Sequence, residues 1–251
     1  MNIEELKDRF KNHVENYDIN DSMIKLKYYH SFRVMELCRE IAEVEGLNLE
    51  DTYLAMVIGL LHDYARFEQW TNYKTGSDIN SVDHGDLACE LLFNNNEIDK
   101  FNIDNKYYNV IYEAIKYHNK YSYPKVSDDR TKYFCKLIKD ADKLDILYLC
   151  SHGDIPLSTD SSKISDKILA DFNEKKLLNK KDSKNINDEI LIKLALIFDL
   201  NFEYSFEYVK NNKILDNMLN KIEDKNKFKP YFDYVKGAME KREKVYVRKK
   251  I

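Results

Sequence analysis

His13, His30, His62, His84, His118 and His152 are the chain's histidines, and four of them continue apolar stripes at helical spacing. His30 lines up with Val34, Leu37 and Ile41, and His62 closes the run from Leu54 to Leu61. His84 precedes Ala88 and Leu91, and His118 follows Ile115, Ala114 and Ile111 at the i+3, i+4 and i+7 offsets. A lone imidazole on an apolar face is ordinarily a satisfied core residue. Four on separate helices are harder to satisfy, because each buried ring without a partner costs about 1–3 kcal/mol. Acids share these faces. Asp63 follows His62 directly, and in KLIKDADKLDILYLC both Asp142 and Asp145 lie on the side of Cys135, Ile138, Ile146 and Leu149. Buried carboxylates need metal ions, cationic partners or protonation to offset them. Imidazoles and carboxylates without thiolates suit Mn, Fe, Mg, Co, Ni or Zn in a hydrolytic site. One Asp shared between two ions commonly holds them about 3.5–4 Å apart.

The elements that must position these groups are helical. The chain has 251 residues, 43% hydrophobic and 13% aromatic, with only 6 Gly and 3 Pro. That composition supports a folded core and leaves too little turn chemistry for sandwiches or barrels. We expect one all-α domain over 1–251, with helices over about 3–16, from Asp21 or Ser22 to Gly46, and from Asn48 or Asp51 to Phe67. A polar loop should cover 71–80. Further helices are expected from Ser81 or Asp83 to Phe93, over 106–119, from Thr131 to Leu149, and over about 163–178, 186–209 and 212–240. A loop around Pro124 ends the 106–119 helix, and Pro230 should break or kink the last one. Lys+Arg (40) and Asp+Glu (44) nearly cancel, which speaks against a dedicated duplex-DNA binder. Cys38, Cys89, Cys135 and Cys150 form no CxxC pair and read as buried free thiols. The N-terminal stretch lacks the apolar core of a signal peptide, and the run from Tyr53 to Leu61 is too short for a bilayer. We therefore expect a cytoplasmic protein with no membrane partner.

The order His30, His62-Asp63, Asp142 stands in the contexts HSFRVMELCREIAEVEGL, LLHDYARFEQW and KDADKLDIL. In that order and context it resembles the HD superfamily of metal-dependent phosphohydrolases. The resemblance covers about residues 25–150 and implies an all-α HD-domain helical bundle, with 151–251 as a helical C-terminal extension packed on that core. By the resemblance His30, His62, Asp63 and Asp142 bind a first divalent ion. His84 and His118, with Asp63 as the bridge, bind a second, as in binuclear members. Some of those members carry consecutive histidines at the last position, where this chain has His118-Asn119.

Arg66 stands four residues after His62, where several phosphodiesterase members place a cation against the substrate phosphate. Its planar fork matches two phosphate oxygens; the alternative is a structural pairing with an acid such as Glu68 or Asp83. Asp145 would sit behind the ligands, orienting a histidine or a coordinated water, or would form a structural salt bridge. Lys139 and Lys143 are expected to face solvent. Tyr64, Tyr117 and Tyr121 flank candidate ligands, either as core packing or to stack on a base. The expected activity is metal-dependent phosphohydrolysis, as phosphomonoesterase or phosphodiesterase, with Asp63 and Arg66 as catalytic residues. The expected substrate is a nucleotide or another small phosphorylated metabolite. Alternatives are an HD-type di-iron oxygenase, a nucleotide sensor and a nuclease; the basic tail KREKVYVRKK is the nuclease's one support.

Overall fold

The computed structural model describes residues 2–121, 126 and 128–249, with side chains described as far as 242. Pro124 and the end of the basic tail lie outside the described residues. Among the described residues every regular element is a helix, as the sparse turn chemistry implies. No described helix is long and apolar enough to cross a membrane. The chain divides into two compact units, Met1–Asp142 and Lys143–Ile251.

In the first unit, α1 (Ile3–Val14) opens with the Asn2 side chain accepting from the Glu4 and Glu5 amides, and buries Leu6, Phe10 and Val14 at four-residue spacing. Asp21 caps α2 (Ser22–Val44) through the Met23 and Ile24 amides, and Gly46 ends it at φ +77°. Asn48 caps α3 (Leu49–Leu61), which is buried on all sides from Leu54 onward. The expected single helix to Phe67 divides here. The Gly59 carbonyl lies 2.7 Å from His62 Nδ1, and the bonds Tyr64 N–H to Leu61 O and Arg66 N–H to Asp63 O tighten the chain over 62–65. A separate α4 (Arg66–Tyr73) follows, so the polar loop begins three residues later than its composition suggests. The Asp21 carboxylate also accepts from the Trp70 indole at 2.9 Å, fixing α4 to the start of α2.

Asp83 caps the short α5 (His84–Cys89), which runs into a π turn at Glu90–Asn94. Then come α6 (Tyr108–Tyr117) and α7 (Asp129–His152), the latter crossing the boundary between the units. The second unit holds α8 (Asp166–Asn173), α9 (Ile186–Ala195), α10 (Glu203–Asn211), α11 (Ile214–Lys221) and α12 (Lys225–Lys249). The expected helix over 186–209 therefore divides at Leu200, whose backbone is extended, and that over 212–240 divides at Ile222 for the same reason. Pro230, the sixth residue of α12, does not break it.

Gly59 marks the closest approach of α2 and α3. A methyl group there would lie 2.8 Å from both Cys38 Sγ and the Met35 Cα. All four cysteines are buried free thiols, as expected. Gly59→Ala should cost about 1–3 kcal/mol through overpacking against backbone that cannot yield. Thermal denaturation checks this, with no change in melting temperature as the contrary result.

Candidate metal centre

Four helices and the turn at 62–65 bring the six expected ligands together. His30 projects from the middle of α2, and His62 and Asp63 stand at the end of α3. His84 is the first residue of α5, His118 follows the last residue of α6, and Asp142 lies on α7. His30, His62, Asp63, His84 and His118 are all at most 4% exposed. Asp142 is the most open of the six, with a side chain 19% exposed.

The two oxygens of Asp63 serve different pairs of imidazoles. Oδ2 lies 3.4 Å from His30 Nε2 and 3.6 Å from His62 Nε2. Oδ1 lies 3.4 Å from His84 Nε2 and 3.8 Å from His118 Nε2. The paired nitrogens stand 3.2 Å apart in the first case and 2.9 Å in the second. Asp142 Oδ1 adjoins the first pair, 3.2 Å from His30 Nε2 and 3.7 Å from His62 Nε2. Metal–nitrogen and metal–oxygen bonds of about 2.1 Å place neighbouring donors about 3.0 Å apart in an octahedron and about 3.4 Å apart in a tetrahedron. The donor spacings match such coordination. Two buried triads, His30-His62-Asp63 and Asp63-His84-His118, could each hold an ion, and they share Asp63.

The imidazoles are aimed by their other nitrogens. His62 Nδ1 donates to the Gly59 carbonyl at 2.7 Å, and His118 Nδ1 to the Ile115 carbonyl at 2.6 Å. A carbonyl can only accept, so Nδ1 carries the hydrogen and Nε2 offers its lone pair inward. Burial, with His84 and His62 alongside, pushes His118 down to about 3, and burial also lowers His84. Both therefore stay neutral near pH 7, as ligands must. Burial opposes ionisation of Asp63, but Lys27, His62, His30 and Arg66 outweigh it and hold the carboxyl well below its usual range.

Lys27 went unremarked in the sequence. Its ammonium lies 2.7 Å from Asp63 Oδ2, the oxygen facing His30 and His62. The available signal was its position three residues before His30, on the same face of α2. Arg66 approaches the other oxygen, with Nε 3.4 Å from Asp63 Oδ1. Its Nη1 is committed elsewhere, to Gln69 Oε1 at 2.6 Å, the Gly76 carbonyl at 2.7 Å and Asp78 Oδ1 at 3.1 Å. The acid that anchors it is thus Asp78, rather than Glu68 or Asp83. Arg66 Nε is buried without a hydrogen bond, 3.4 Å from Asp63 Oδ1.

Other expectations change. Lys139 and Lys143 are buried rather than solvent-facing. The Lys139 ammonium donates to the Lys120 carbonyl at 2.6 Å, and that of Lys143 meets Asp199 Oδ2 at 2.6 Å. Long lysine stems reach such acceptors while covering apolar surface. Tyr64 is core packing: it is fully buried, stacks on His13 at 3.8 Å, and donates its hydroxyl to Glu97. Tyr121 is exposed. Asp145 is buried on α7 in the second unit.

Residues 28–147 match the family model of the HD domain, and all six donors fall inside the match. That stretch, a little under half of the chain, is similar to an HD domain. HD domains bind divalent metals and are typically metal-dependent hydrolases. Neither the curated proteins nor the solved structures searched gave a match to the chain.

Asp63→Ala should abolish metal binding, because both triads lose their shared ligand, whereas His118→Ala should cost one ion and spare the other. Elemental analysis of the purified variants checks this; wild-type metal content in Asp63→Ala contradicts it. Lys27→Met should act in the opposite sense. A cation beside the site opposes a divalent ion by an amount of order kcal/mol even at an effective dielectric of about 20. Removing it should tighten the first ion roughly tenfold, a change of about 1.4 kcal/mol. Calorimetric titration of metal-stripped protein with Mn²⁺ is the measurement, and unchanged or weaker binding contradicts the competition.

Proposed function

We propose that this protein is a metal-dependent phosphohydrolase acting on a nucleotide or another small phosphorylated metabolite. The observation carrying this reading is the division of Asp63 between two imidazole pairs, with the unbonded Nε of Arg66 beside it. His30, His62, Asp63 and Asp142 would hold one divalent ion, and Asp63, His84 and His118 the other. The ions would acidify a coordinated water and neutralise charge on the phosphoryl oxygens.

This chain's own cations do the rest. Arg66, its Nη1 tied to the loop after α4, presents Nε and Nη2 to two phosphoryl oxygens as a fixed fork. Lys27, whose side chain is 20% exposed at the partly open side of the site, would supply a second positive charge there. Together they offset the repulsion that Asp63, Asp78 and Asp142 exert on an anionic substrate. The overall acidity, with a sequence pI of about 5.9, favours a small substrate over a nucleic-acid polymer.

Phosphate release from a panel of nucleotides and phosphorylated metabolites, with Mn²⁺, Co²⁺, Mg²⁺, Ni²⁺ or Fe²⁺, tests the proposal. Tightly held iron with oxygen consumption and no phosphate release would overturn it in favour of an oxidative reaction. Arg66→Ala should lower kcat/KM roughly 10²-fold, about 2.7 kcal/mol of transition-state stabilisation, at unchanged metal content. Arg66→Lys should fall between. A loss of melting temperature with turnover intact would make Arg66 a loop anchor and nothing more.

A further inference from the structure

His84 differs from His62 and His118 in how it is aimed. His62 and His118 each bond a carbonyl three residues back in their own helix. His84 is the first residue of α5, so three residues back lies the loop, and no helical carbonyl is there to orient it. Its Nδ1 instead donates to Asp78 Oδ2 at 2.6 Å.

Asp78 lies in the loop between α4 and α5, and four donors converge on its carboxylate, two from α4, one from α5 and one from the residue after His118. Oδ1 accepts from Arg66 Nη1 at 3.1 Å and Gln69 Nε2 at 3.0 Å. Oδ2 accepts from His84 Nδ1 at 2.6 Å and Asn119 Nδ2 at 3.1 Å. An ionised carboxylate offers about four lone-pair positions and no donor, so all are taken. Gln69 is in turn held by Ser81 Oγ and the Val82 carbonyl, both at 2.9 Å, and Arg66 by the Gly76 carbonyl. The loop is therefore closed around one carboxylate rather than draped over the surface.

We propose that Asp78 is a positioning residue serving two partners at once: it fixes His84 with Nε2 facing the second metal site, and it holds Arg66 with its free edge toward the phosphate. The inference rests on the two-ion reading above. No neutral side chain can replace it. Asparagine must turn its amide nitrogen toward one pair of donors, losing either His84 or Arg66. The conformation of this loop thus sets occupancy of the second metal site and readiness of the phosphate grip together.

Metal-stripped full-length protein titrated with Co²⁺, read by calorimetry and by the visible absorption of bound Co²⁺, provides the test. The wild type should take up two ions. Asp78→Ala and Asp78→Asn should keep the first ion at wild-type affinity and bind the second at least about tenfold more weakly, the lower end of what losing a ligand's orienting partner costs. Inorganic phosphate should bind the Co²⁺-loaded variants more weakly as well. Uptake of two ions by both variants at wild-type affinity overturns the role of Asp78 and leaves the two-ion reading intact. A wild type that takes up one ion overturns both. Should Asp78→Ala lose its helical circular dichroism, the closer-sized Asp78→Asn decides, and loss of both ions from it with helicity intact also overturns a role confined to His84 and Arg66.

Discussion

A carboxylate buried as deeply as Asp63 is tolerated where positive charge or donors reach both of its oxygens. Asp63 meets that condition with cations drawn from separate helices: Lys27 from α2 lies 2.7 Å from Oδ2 and Arg66 from α4 lies 3.4 Å from Oδ1, while the Nε2 atoms of His30, His62, His84 and His118 face the same two oxygens. Removing either cation leaves charge that the low-dielectric interior does not screen. The helices of the first unit are therefore bound to one another by electrostatic need as well as by apolar contact.

The proposed ligands fall into two mechanical classes. His30, His62 and Asp142 are borne on or at the ends of long, well-buried helices, whose positions follow from core packing. His84 stands on a six-residue helix reached through an irregular loop, and its aim depends on side-chain hydrogen bonds instead. Hydrogen bonds to charged groups on partly exposed loops open more readily than packed helices shift. The first triad is accordingly the more rigid half of the centre.

The helical class and the faces of α2, α3, α6 and α7 were legible because buried helices write a 3.6-residue period, and an imidazole or carboxylate on that stripe stands out. The adjacency of His62 and Asp63 carried the family resemblance. The break at 62–65 was not legible: it depends on the His62 imidazole taking the Gly59 carbonyl, a competition that periodicity cannot register. Asp78 left no signal either, since a loop has no period and its partners lie up to 41 residues away. Lys139 and Lys143 were misread for a different reason. Charge suggests solvent, but a flexible stem lets an ammonium find a carbonyl or carboxylate from a buried position.

The close contact of α2 with α3 at Gly59 has a further consequence. His30 rides on one of these helices and His62 on the end of the other, and the missing side chain at position 59 lets their backbones meet within van der Waals range of Met35 and Cys38. The close main-chain approach at Gly59 therefore helps fix the separation of the two helices that carry these nitrogens. A residue outside the candidate ligand set thereby bears on how closely the first triad's two imidazoles can stand. A relative with a bulkier residue there would have to spread the pair.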